Sequence, residues 1–142
     1  EKVVTHHNIL EPQDAMMCQY SVPFCVALAL HRDPVDPRVF GDATLNDSSI
    51  RAVCRNTTVS EYPQEKARDR FSTRLTVRMK DGRELGIEAH DYEGMPARPL
   101  TRGQLRDKFL KLTADSKVMD AEKVLRRLEA LEEQASVTAI LD

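Results

Sequence analysis

The sequence predicts an α+β fold: a small, mainly antiparallel sheet covered by helices in two layers, followed by a helical C-terminal tail. Three observations carry this. Residues 73–89 alternate apolar and polar on both sides of Asp81-Gly82, the pattern of a hairpin. The apolar run Phe24 to Leu30 follows Ser21 and Pro23, a helix cap and a residue suited to a first helical turn. After residue 100, two helix starts each lead into amphipathic spacing.

Taken in order, Lys2 to His6 is β-branched and predicts a strand. Adjacent strand residues point to opposite faces, so His6 and His7 do not chelate one ion. Glu11-Pro12-Gln13-Asp14 is a turn into a short helical piece over residues 15–18, where Met16 and Met17 serve packing. Ser21 caps the next helix, Val22 to Leu30. It is apolar on nearly every face and so must be covered on more than one side. Its N-terminus brings partial positive charge and unpaired N–H groups, which suit an anion. Gln19, Tyr20 and Ser21, leading into that N-terminus, are therefore the candidate site. Pro34 and Pro37 end the helical run. Asn46 or Asp47 caps a short helix through about Val53, with Ile50 and Val53 as its apolar face. Thr57 to Tyr62 alternates around Val59 and predicts a strand, closed by Pro63; residues 64–70 read as a charged loop.

Parity fixes the hairpin loop. Paired residues share a face, so a two-residue loop would set Val77 opposite Gly86. A three-residue loop, Lys80-Asp81-Gly82, pairs Met79 with Arg83, Val77 with Leu85 and Leu75 with Ile87. Only the second keeps apolar residues together on one dry face. It predicts a type I turn with Gly82 in the left-handed position. Beyond a Gly/Pro loop at residues 92–99, Thr101 and Gln104 form a capping box and Leu100 and Leu105 a hydrophobic staple. That helix is expected to bury Leu105, Phe109 and Leu112 and to end near Ala114. A second, from Asp120, is expected to bury Val124, Leu128 and Leu131; Ser136 caps a last turn, Val137 to Leu141. Residues 1–116 are thus expected to form the α+β domain and residues 117–142 a helical segment.

Composition narrows the function. With 142 residues, 41% hydrophobic and 31% charged, the chain is long enough to bury its own core. A net charge of -2 gives no electrostatic case for nucleic acid or an acidic membrane, and the absence of Trp argues against base-stacking platforms. Cys18, Cys25 and Cys54 are odd in number and lack C-x-x-C spacing, which disfavours a disulfide framework and a zinc knuckle and makes a reducing cytoplasm the expected compartment. The apolar run before His31 is too short to span a bilayer. Further candidates have plain structural explanations. His31 suits a helix C-terminus, Asp81 a turn, and Glu129 and Glu133 a solvated helical face; His90 reads as a surface residue beside a loop. Arg98 and Arg102 flank a helix start and could meet a carboxylate, but solvated charge is the plainer reading.

The residues also carry a resemblance. Gln19-Tyr20-Ser21-Val22-Pro23-Phe24 with its Ala/Leu-rich helix, Leu75-Thr76-Val77-Arg78-Met79-Lys80-Asp81-Gly82-Arg83, Gly94-Met95-Pro96-Ala97-Arg98-Pro99-Leu100-Thr101 and Leu105-Arg106-Asp107-Lys108-Phe109 together resemble the MmgE/PrpD family, in its order and over nearly the whole chain. That family includes 2-methylcitrate dehydratase, cis-aconitate decarboxylase and iminodisuccinate epimerase. The resemblance implies the C-terminal lid portion of a two-domain enzyme whose first, all-helical domain is not part of this chain. It implies no metal or organic cofactor, small di- or tricarboxylate substrates, proton abstraction next to a carboxylate, and a homodimer at full length. The family's main catalytic His and Lys residues belong to the helical domain, so none is carried over here. Phe24 stands where several members have a Tyr near the active site. The remaining readings are a stand-alone α+β ligand-binding or regulatory module and a protein-interaction domain.

Overall fold

The computed structural model describes residues 2–63, 71–117, 120–134 and 136–140. The fold is α+β, a two-stranded antiparallel sheet flanked by helices with further helical elements at the C-terminal end. The chain divides into two compact units, residues 1–90 and 91–142.

The first unit is built around two helices, α3 (Val22–Ala29) and α5 (Ser48–Arg55), which pack against each other. α2 (Ala15–Tyr20) and the short α4 (Asp42–Leu45) close the ends of this pair. Each start has a local cause. Asp14 accepts the Met17 N–H at 2.7 Å, and Asp47, rather than Asn46, accepts the N–H groups of Ser49 and Ile50. The core is Cys18, Phe24, Ala27, Leu28, Leu45, Ile50 and Cys54, with Val39, Phe40 and Val53 against it. α3 buries one face, Phe24, Ala27 and Leu28, as i, i+3 and i+4 spacing dictates. Its other sides are covered less than expected: Val22, Cys25 and Val26 are half-buried and Leu30 is exposed.

Across the core, Glu11 bridges Arg51 at 2.8 Å and Arg55 at 3.3 Å, while the Arg51 Nε–H donates to the Leu45 carbonyl at 2.6 Å. One largely covered guanidinium thus ties the α4–α5 corner to the segment before α2.

Two expected strands are absent. Lys2–His6 is a helix, α1. Strand propensity needs a neighbouring strand to act on, and among the described residues none adjoins this run. Residues 57–62 are irregular, although Thr57 and Val59 are more covered than Thr58 and Ser60. The alternation is real, but the Thr57 N–H and hydroxyl are held by the last turn of α5, at Cys54 and Val53, and no strand among the described residues lies alongside. The charged loop expected at residues 64–70 lies outside the described residues.

The hairpin follows the parity argument. β1 (Thr73–Arg78) and β2 (Glu84–Ala89) pair Leu75 with Ile87 and Val77 with Leu85, and the Met79 N–H reaches the Arg83 carbonyl at 2.8 Å. Gly82 has φ 87°, the left-handed conformation the loop requires. Arg74–Glu88 and Arg78–Glu84 ion pairs lie on the opposite face from the apolar residues. That apolar face is not dry: Leu85 and Ile87 are 57% and 66% exposed.

In the second unit, Gly94 (φ 95°) shapes the loop before α6 (Arg102–Thr113), whose Thr101–Gln104 capping box is formed as predicted. Asp120 caps α7 (Ala121–Glu129), and Arg106 joins the two helices through Glu122 at 2.5 Å and Glu129 at 3.6 Å. Val124 is buried as expected, together with Leu125. Leu105, Leu112, Leu128 and Leu131 are exposed, because two short helices share only one seam. Short 3₁₀ turns follow at Leu131–Glu133 and Val137–Ile140. Among the described residues, no helix is long and apolar enough to cross a membrane.

Candidate functional site

The site region is the junction of α2 and α3 and the segment that returns beneath it. Ser21 ends the first helix and caps the second. Its hydroxyl accepts the Phe24 N–H at 3.0 Å and donates to the Ile9 carbonyl at 2.5 Å, and the residue is fully buried. The Val22 N–H donates to the His7 carbonyl at 2.9 Å, and the Cys25 N–H to the Ser21 carbonyl at 2.9 Å; Pro23 has no N–H. Every main-chain donor of the first turn of α3 is therefore used within the chain. This corrects the expectation of unpaired N–H groups at that helix N-terminus: His7 and Ser21 already take them.

Tyr20 is exposed and its ring stacks on His7, with centroids 5.7 Å apart and planes 10° from parallel. The His7 Nδ1 lies 3.0 Å from the Tyr20 carbonyl. These two residues, with Gln19, Val22, Cys25 and Val26, line an open groove of about 420 Å³. Gln19 and Tyr20 thus edge a concave surface, while Ser21 lies beneath it and holds the turn. His7 joins them only through the tertiary fold, and neither its spacing nor its neighbours in the sequence signal this.

Comparison with protein families matches residues 2–134 to the MmgE/PrpD C-terminal domain. The chain belongs to the MmgE/PrpD C-terminal domain family. No curated protein matches the chain.

Most of the other candidates in this MmgE/PrpD domain are held in structural roles. The Arg98 guanidinium binds Asp91 at 3.1 Å and Glu93 at 3.2 Å, and these partners, Asp91 first, raise its already high pKa. Arg102 is exposed. His90 bonds the Ser72 hydroxyl at 2.9 Å and links the open ends of the hairpin strands. The Asp81 carboxylate receives the Arg83 N–H and guanidinium, as a turn residue should. Phe24 is fully buried in the core. Among the described residues, no group of three or more His, Cys, Asp or Glu side chains is placed to hold a metal ion.

The three thiols are free. Burial pushes Cys18 from 9.0 up to about 11, with Arg51 opposing, and raises Cys25 and Cys54 as well. They are neutral thiols, poor nucleophiles at ordinary pH. A stability effect follows. Between the unfolded and folded values of Cys18 the native state binds the proton more tightly, so its contribution is complete below about pH 9 and falls away as pH rises toward 11. Thermal melts across this range are expected to show a loss of about 2 kcal/mol attributable to Cys18. Cys18→Ala should flatten that part of the profile; an unchanged slope refutes the assignment.

Proposed function

We propose that this chain is the C-terminal lid domain of a cofactor-independent lyase or isomerase acting on small di- or tricarboxylates. Membership of the MmgE/PrpD C-terminal domain family over residues 2–134 carries this reading. The reaction is removal of a proton alpha to a carboxylate by a general base, followed by loss of water or carbon dioxide, or by reprotonation. The base comes from the all-helical domain that precedes the lid in such enzymes. Gln19 and Tyr20 edge the cleft between the domains, and Ser21 fixes the turn that presents them. The exposed leucines of α6 and α7 belong to the surface that packs toward the helical domain, and the whole enzyme is a cytoplasmic homodimer.

The test is turnover. The protein including its upstream reading frame, incubated with 2-methylcitrate, aconitate and related acids and followed by NMR, should convert at least one of them. The 142-residue chain alone should convert none, since the base must lie within hydrogen-bond reach of the proton it removes. Turnover by the isolated chain, or none by the longer protein, overturns the proposal.

A further inference from the structure

We infer that His7 is the polar anchor of a carboxylate subsite in the groove edged by Gln19 and Tyr20, an inference that takes its substrate class from the function proposed above. A carbonyl oxygen only accepts, so the 3.0 Å contact with the Tyr20 carbonyl places a proton on the His7 Nδ1. In the neutral ring this leaves the Nε2 with its lone pair. The residue is held at three points: the ring stacks on the Tyr20 phenol, the Nδ1–H bonds the Tyr20 carbonyl, and its own carbonyl takes the Val22 N–H. Such a ring is pre-organised, and binding through it forfeits little side-chain freedom.

The lining of the groove leaves the role to His7. His7, Gln19, Tyr20, Val22, Cys25 and Val26 include no Asp or Glu to repel a carboxylate and no Lys or Arg, so among these side chains His7 is the one able to become a cation. The other titratable groups lining the groove are the Tyr20 phenol, stacked on His7, and the Cys25 thiol. On binding, the Nε2 takes one proton from solvent. The imidazolium then donates its Nδ1–H to the Tyr20 carbonyl and its Nε2–H to the incoming carboxylate, a charge-assisted bond. The Gln19 amide adds neutral donors at the same rim.

The experiment is ¹⁵N multiple-bond NMR of the 142-residue chain, with tricarballylate as the probe. The free chain should show His7 as the Nδ1–H tautomer. Tricarballylate should move the Nε2 signal into the protonated range while the His31 and His90 rings stay put. His7→Phe, which keeps an aromatic ring on Tyr20, should bind the probe roughly tenfold more weakly with its fold intact by circular dichroism. The opposite tautomer in the free chain, an unmoved Nε2, equal affinity in His7→Phe, or an equal response to sulfate each overturns the subsite. Turnover of polycarboxylates by the longer protein is read separately. If it turns them over and His7 is silent, the subsite falls and the proposed function stands; if His7 responds and no acid is turned over, the reverse holds.

Discussion

Phe24→Ala is expected to lower the unfolding free energy of the 1–90 unit by about 3–5 kcal/mol. The ring is fully buried and sits in the cluster shared by α3 and α5, with Leu28 and Ile50 also fully buried. Removing it forfeits the transfer free energy of the ring and leaves a cavity that a core of seven fully or nearly fully buried side chains has little means to fill. A small domain has only a modest stability to draw on, so the variant should be largely unfolded at room temperature. Urea titration followed by far-UV circular dichroism measures this. Leu30→Ala, one helical position past α3 and 55% exposed, is the control and should change stability by less than about 1 kcal/mol. A Phe24→Ala loss no larger than the control's would mean that α3 does not hold the unit together.

Ser21→Ala is expected to cost about 2–4 kcal/mol, from two separable sources. The cap on the Phe24 N–H is worth about 1 kcal/mol. The hydroxyl also supplies the close hydrogen bond to the Ile9 carbonyl; without it that oxygen keeps only a long contact, 3.9 Å, from the Cys54 thiol. A buried acceptor deprived of its donor adds about 1–3 kcal/mol. Hydrogen exchange distinguishes this from general loosening. The Phe24 amide should lose protection first, and the Leu75–Ile87 region of the hairpin should be unaffected. Equal loss of protection throughout the unit would show that Ser21 is not a local fastener.

Where a residue's role is set by its near neighbours, the sequence was a sufficient guide. Register in residues 73–89 follows from pleat parity alone, because one slip would mix Gly86 and charged residues into the apolar face. The Thr101–Gln104 box and the Ser21 cap likewise need nothing beyond three-residue spacing. Roles set by distant partners were not legible. Lys2–His6 has strand-like composition, but strandness depends on a neighbour and none adjoins it among the described residues. Residues 57–62 show the same failure. Periodicity marked Leu105, Leu112 and Leu128 as apolar-face residues without saying that this chain covers that face. For the site, Gln19 and Tyr20 were found from their place before a capped helix. The free N–H groups expected at that helix end are instead paired, because the returning segment at residues 7–9 had no signature in the sequence. His7 was missed for the same reason.

The ties between residues 9–11 and α5 also set an order of events in folding. Glu11 meets Arg51 across forty residues of chain, and the Cys54 thiol meets the Leu10 carbonyl across forty-four. The hairpin, closed by three residues, needs no such search and should form within microseconds. The helical core must wait for the longer closure, so its folding rate should respond to the length of the connection between α3 and α4. The dependence is gentle, because doubling a flexible loop adds only about 0.6 kcal/mol. Lengthening residues 31–41 should therefore slow assembly of the core by no more than a few-fold and leave the hairpin's own kinetics unchanged.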